Sequence, residues 1–195
     1  MDVTKQQDVQ ACVDLINTRH GSLFCLINNA GLVDGFFLEL MTMEQFERTV
    51  NVNFIGVVRC CKAFIPLLRK AQNSRIVNIS SAASFASLPG GSHYNASKAA
   101  VKSFGDCLRL ELMPFGIKVV TIMPGFFATK IMDQKKYIED TFNKADKNVR
   151  DLYGKTFIER YMSGGEMYRP FAPKPQVCVD VIVKSSIAKR PPMDR

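Results

Sequence analysis

The sequence predicts an α/β fold in which helices are layered on a parallel sheet. Three short apolar runs carry that expectation: LFCLINNAG (23–31), RIVNISS (75–81) and IKVVTIM (117–123). Each is nearly continuous in apolar character and closed by a turn signal, as strands buried on both faces are. The segments between them have helical period, and strands joined by connections of that length pair in parallel through right-handed crossovers.

Taken in order, Val9, Cys12, Val13 and Ile16 recur at helical spacing from Asp8 to Arg19, and Gly21 supplies a stop signal. The first strand is placed at Leu23 to Ile27, with a turn from Asn28 to Gly31. Thr42 with Gln45 is a capping box, and Phe46, Val50, Phe54, Val57, Cys61 and Phe64 keep one stripe along the long helix that follows. The second strand starts at Arg75. GSHYNASKAAV (91–101) then opens a helix whose face runs from Tyr94 and Lys98 through Val101, Gly105, Leu108 and Leu112. The third strand, Ile117 to Met123, ends at Pro124 and Gly125. From 132 to 169 the pattern turns polar and irregular, helical in places and without a strand signal, which reads as a substrate lid within one domain spanning 1–195. Pro175 starts a final helix through Val177, Val181 and Ile182.

Composition narrows the function classes. A chain of 195 residues with 47% hydrophobic content can bury the core of one domain. Lys and Arg number 26 against 18 Asp and Glu, a net +8, but no five like charges run together, so the excess reads as solvated surface and nucleic-acid binding is not expected. Six cysteines without a C-x-x-C pair, and two histidines, argue against a metal site. Several of those cysteines sit in apolar segments, as reduced thiols do in an intracellular compartment. The longest strictly apolar runs are short, FIGVV among them, so neither a membrane span nor a signal peptide is expected.

Ligands of open parallel sheets gather at the carboxyl ends of the strands. Here those ends carry Asn28, Asn29, Ala30 and Gly31; Ser80 and Ser81; and Pro124, Gly125 and Thr129. Tyr94 and Lys98 share a helix face at i and i+4, which lets an ammonium lie near the phenol and lower its pKa. A tyrosine so tuned can act as a general acid or base, and Ser81 can bind the same substrate oxygen. Asn53, on the apolar stripe, needs hydrogen-bond partners, which a water relay to Lys98 would supply. Each signal alone also has an ordinary reading: a snorkelling lysine, a serine cap, an amide pinning local backbone, a generic turn. Their order on successive strand ends argues for a joint role.

NNAG (28–31), VNFIG (52–56), RIVNISS (75–81), YNASK (94–98) and PGFFAT (124–129), in that order, resemble the short-chain dehydrogenase/reductase superfamily over nearly the whole chain. The resemblance implies a partial Rossmann-type doubly wound parallel sheet in three α/β/α layers and an NAD(P)-dependent oxidoreductase. By the same resemblance Tyr94 is the acid/base, Lys98 its pKa modulator and ribose ligand, Ser81 the substrate-oxygen ligand and Asn53 the relay. Asp2, Asn28, Ala30, Gly31, Lys98, Pro124, Gly125 and Thr129 would bind the cofactor, NAD or NADP with NAD ahead. FIPLLRK, FGDCLRLEL, FGIKVVTIMPGFF and LYGKTFIE resemble the branch of retinol, 17β-hydroxysteroid and D-β-hydroxybutyrate dehydrogenases. That branch implies a hydrophobic alcohol or ketone of steroid or retinoid type, a homo-oligomer, and a full-length form associated with the endoplasmic reticulum membrane or the mitochondrion. Hydroxybutyrate would instead require a cation such as Lys130, Lys135 or Arg160.

The front of the chain departs from the family. A dinucleotide fold needs a Gly-rich turn after its first strand, and none is present; MDVTKQQDV instead resembles the family's Asp-Val element after the third strand, where Asp2 would meet adenine. The expectation is therefore an N-terminally truncated form, also short at its end, lacking the first strands and the selector between NAD and NADP. The rival expectation is a non-catalytic product that binds partner subunits through its incomplete sheet or the helices bearing Asn53 and Tyr94.

Overall fold

The computed structural model describes residues 1–129, 131, 133–168 and 171–189. Three strands, β1 (Cys25–Asn28), β2 (Arg75–Ile79) and β3 (Lys118–Ile122), form a parallel sheet in the order β1-β2-β3. In this register Leu26 lies beside Ile76 and Val119, and Asn28 beside Asn78 and Thr121. Side chains alternate across the sheet. Leu26, Ile76 and Val119 join the core under α1 (Gln6–His20), α3 (Gly56–Leu68) and α4 (Ser92–Leu112), while Val77, Val120 and Ile122 meet Val181 and Ile182 of α8 (Gln176–Ile187) on the opposite face. The result is three layers, α/β/α, as the sequence predicts.

Local chemistry sets the element ends. Gly21 terminates α1 in the left-handed conformation, and Thr42 and Gln45 form the reciprocal capping box that opens α2 (Met43–Val50). The strands are shorter than their apolar runs: Leu23 and Phe24 precede β1, and Ile117 and Met123 flank β3. Arg75, at the start of β2, is buried against the Phe24 ring at 4.8 Å and donates to the carbonyls of Ser185 (3.2 Å) and Ala188 (2.8 Å). It thus holds the carboxyl end of α8, where unpaired carbonyls favour a cation.

The expected stripe on the long helix is shifted in its first half. Phe46, Val50 and Phe54 are only half-buried, whereas Thr49 and Asn53 are fully enclosed. A π-helical turn, Asn51–Ile55, joins α2 to α3 and adds the residue that brings Val57, Cys61 and Phe64 into phase with the core. By length and composition the continuous helix Met43–Leu68 is apolar enough to cross a membrane, although no strictly apolar run in it is long. Cys60, Cys61, Phe64, Leu67 and Leu68 on it are packed in the core. On α8, Val177 is exposed instead of buried, since only the Val181 and Ile182 side reaches the sheet.

The region read as 132–169 folds as α5 (Lys135–Lys144), α6 (Lys147–Tyr153) and α7 (Lys155–Tyr168); Met132 and Arg169 lie outside the described residues. Ile138 of α5 and Ile158 of α7 pack with Phe36 and Leu40 from the loop after β1. Around them Phe37, Tyr153, Phe157 and Tyr161 make edge-on and tilted ring contacts.

Candidate active site

The carboxyl end of β2 separates two adjacent serines. Ser80 turns inward and donates to the Lys98 carbonyl at 2.7 Å, pinning α4 to the sheet. Ser81 caps the 3₁₀ turn Ala82–Ser84 by accepting from the Ala83 amide at 3.2 Å, and its hydroxyl pulls the Tyr94 phenol's pKa down. Pro124 reaches the same place after β3, its carbonyl accepting from the Ala82 amide at 2.8 Å. The cap reading of Ser81 is realised at this open strand end.

Tyr94 and Lys98 lie one turn apart on α4, with the Lys98 Nζ 5.6 Å from the Tyr94 ring centre. The ammonium donates to the Ile79 carbonyl at 2.9 Å. Lys98 is buried, only 4% exposed, and burial pulls its pKa down to about 8. The Tyr94 phenol moves opposite to the expectation: burial raises its pKa above the ordinary tyrosine value, and the pull of the Ser81 hydroxyl offsets this only in part. The reason is geometric. The lysine charge is spent on a backbone carbonyl, and the phenol sits in a poorly solvated wall.

Asn53 is also satisfied without a relay. Its Oδ1 accepts from the Leu32 amide at 2.8 Å, and its Nδ2 donates to the Leu32 carbonyl at 2.9 Å and to Ser97 Oγ at 3.1 Å. Ser97 in turn donates to the Tyr94 carbonyl at 2.7 Å, so the asparagine and tyrosine helices are coupled by one hydroxyl. Gly31 lies between Asn53 and Lys98: a Cβ built there would stand 3.4 Å from Asn53 Oδ1 and 3.5 Å from Lys98 Nζ. Asn53, Ser81, Tyr94, Lys98 and Gly31 thus converge at the carboxyl ends of the strands.

The remaining residues read as cofactor ligands fall into two groups. Ala30 and Gly31 are exposed at the end of β1, and Gly125 has open space where a side chain would project. The Thr129 hydroxyl and amide donate to the Phe127 carbonyl two residues back, at 3.4 and 2.8 Å. Asn28 turns inward, donating to Asn78 Oδ1 at 2.8 Å and to Cys61 Sγ at 3.2 Å. Asp2 accepts from the Thr4 amide and hydroxyl and sits before α1, next to Val3, which packs on Gly56. Lys135 and Arg160 are exposed, and Lys130 lies outside the described residues.

Sequence reasoning did not find Ser97, although its position three residues after Tyr94 is the spacing at which a serine reaches back to a helix carbonyl. Nor did it find His93, wholly enclosed beside Asp34, which pairs with Arg48. Burial holds the His93 imidazole below its ordinary pKa, against the pull of the Asp34 charge. A cavity of about 520 Å³ opens on another side of α4, lined by Phe37, Leu88, Asn95, Ala96 and Ala99, and leaves out Tyr94 and Lys98.

The parallel α/β/α sheet thus gathers a phenol, an ammonium and a hydroxyl at its strand ends, where ligands of such sheets collect. Residues 1–139 match the family model described as short chain dehydrogenase. The 3-ketodihydrosphingosine reductase of Bacteroides thetaiotaomicron is 41% identical over 165 residues, covering 85% of this chain and 61% of that protein. Retinol dehydrogenase 7 of Mus musculus is 35% identical over 167 residues, covering 83% of this chain and 52% of its own. Among solved structures, the ligand-free aldohexose dehydrogenase of Thermoplasma acidophilum superposes with a TM-score of 0.73 at 26% identity, over 94% of this chain and 68% of that one. The chain belongs to the short-chain dehydrogenase family, in the branch that includes retinol and 17β-hydroxysteroid dehydrogenases. It spans between about half and three fifths of the length of the two curated relatives named here.

Proposed function

We propose that the protein is an NAD(P)-dependent oxidoreductase acting on a hydrophobic alcohol or ketone, with Tyr94 as its acid/base. The observation that carries this reading is the buried Lys98 ammonium 5.6 Å from the Tyr94 ring centre, one helical turn along α4 and facing the strand end that bears Ser81. The residues at the ends of β1 and β3 suit a nicotinamide riboside: Gly31 leaves room beside Lys98 Nζ, and Gly125 opens the far side. A nicotinamide held there, NAD ahead of NADP, supplies or accepts the hydride. Ala30, Gly31, Lys98, Pro124, Gly125 and Thr129 would line its ribose and ring, with Asp2 toward the adenine; Asn28 would act through the backbone it braces. The sequence has no Gly-rich pyrophosphate turn, so apart from Asp2 these residues account for the nicotinamide end.

In this reading Ser81 holds the substrate oxygen and Tyr94 exchanges the proton with it. The raised pKa keeps the resting phenol protonated, the form that donates to a carbonyl. Lys98, with a pKa of about 8, stays ionised at pH 7 and offsets the negative charge that develops on the phenolate after donation. Asn53 sets the height of Tyr94 through Ser97. Helices α5 to α7 cover the substrate, and exposed Phe126 with the rings around Phe37 favours a greasy one. The whole protein, as a homo-oligomer at the endoplasmic reticulum membrane or mitochondrion, would take steroid, retinoid or long-chain keto substrates.

The test is titration of the purified chain with NADH and NADPH by fluorescence, then turnover of steroid, retinoid and 3-ketosphingoid substrates. Tyr94→Phe should keep cofactor binding and lower turnover by roughly 10²–10⁴-fold. Equal turnover in that variant would overturn the acid/base role. Absence of binding would favour the second reading, a chain that docks on partner subunits, which rests on the half-exposed Phe24 and Ile27 beside and on β1.

A further inference from the structure

Gly90 lies in the turn that leads into α4, with φ at +77°, a conformation that favours glycine. A Cβ built on it would stand 3.0 Å from the Phe36 ring and 3.1 Å from the Tyr161 hydroxyl. The turn is therefore held between an aromatic ring of the loop after β1 and a phenol of α7. The Tyr161 hydroxyl donates to the neighbouring Pro89 carbonyl at 2.7 Å, and its ring meets Phe36 edge-on at 4.6 Å.

The first turn of α4 depends on such outside contacts. Leading helix amides have no partner within the helix, and Gly91 at the cap position offers no side-chain hydrogen bond. Tyr94 sits in that turn. A second tie comes from α5, where Thr141 Oγ1 accepts from Gln45 Nε2 at 2.8 Å; Gln45 also reaches Asp34 Oδ1 at 3.5 Å, and Asp34 and Gly35 lie against His93. The helices packed over the loop after β1 thus touch the approach to Tyr94 from two sides.

We propose that Tyr161 is a positioning residue for Tyr94: by holding the Pro89–Gly90 turn, it makes the first turn of α4 rigid only while α7 is docked. This rests on the reading of Tyr94 as the proton-transfer group. Coverage of the substrate and alignment of the phenol are then one event, because the same helix supplies both.

The experiment is hydrogen exchange by mass spectrometry on the purified chain, comparing Tyr161→Phe with Tyr153→Phe. The first variant loses the hydroxyl on the turn but keeps the ring. The second loses a hydroxyl in the same aromatic group that bonds exposed Glu39 instead, at 3.0 Å. Tyr161→Phe should speed exchange of the amides from Asn95 to Lys98 roughly fivefold, with β2 and the later turns of α4 unchanged and Tyr153→Phe silent. The Tyr94 phenol, titrated by difference against Tyr94→Phe, should shift toward the ordinary tyrosine value as its burial loosens. Uniform acceleration along the chain, no acceleration, or the same change in Tyr153→Phe would each overturn the proposal, as would an unmoved phenol titration. None of these readouts needs turnover, so a failed acid/base role for Tyr94 would show separately in the activity assay.

Discussion

Replacing Lys98 with methionine removes a charge from a place where the fold holds it at a cost. The ammonium is enclosed, and its pKa falls from 10.5 to about 8 because burial penalises the charged form. That gap corresponds to about 3 kcal/mol of lost stability at pH 7. The unfolded chain binds this proton more tightly than the folded one, so the loss is complete below pH 8 and is recovered as pH rises toward 10.5. Between pH 7 and 9.5 the parent should therefore gain about 2 kcal/mol relative to Lys98→Met, whose side chain does not titrate. Methionine leaves the Ile79 carbonyl unpaired, which costs about 1–3 kcal/mol and offsets part of the gain at pH 7. Urea unfolding of both chains at the two pH values measures the difference, since every other titrating group is shared. A parent-to-variant gap that stays constant over this range would refute the reasoning, because it would mean the folded Lys98 is solvated.

Two further outcomes test the packing that places the site. Gly105→Ala should destabilise by about 1–3 kcal/mol in urea unfolding, because the new Cβ would stand 2.4 Å from Thr121 Oγ1 on the buried face of β3. Arg75→Met should free the carboxyl end of α8, so that limited proteolysis cuts between 184 and 189 faster, with a loss of about 2 kcal/mol from two charge-assisted hydrogen bonds.

What could be read along the chain was whatever depends on near neighbours. Thr42 and Gln45 announce a helix start because their bonds close within one turn. The face from Lys98 through Val101, Gly105, Leu108 and Leu112 follows from helical period, and all five are buried. Two strand ends, at Gly31 and Ser81, are marked by local turn chemistry. The shifted stripe at Thr49 and Asn53 was not readable, since a π turn is a response to packing on both sides of the helix and leaves no periodic trace. Asn28 likewise looks like its exposed neighbours Asn29 and Ala30 until the register sets Asn78 beside it.

The sequence by itself determined the kinds of element, their order, and the presence of Tyr94, Lys98 and Ser81 at strand ends and a helix start, because these rest on spacing. Only the tertiary structure decided their protonation. It turned the Lys98 ammonium to the Ile79 carbonyl, enclosed the Tyr94 phenol so that its pKa rises, and tied Asn53 to Tyr94 through Ser97. The physical reason is that desolvation depends on how much protein surrounds a group from every direction, and most of that protein is distant in the chain.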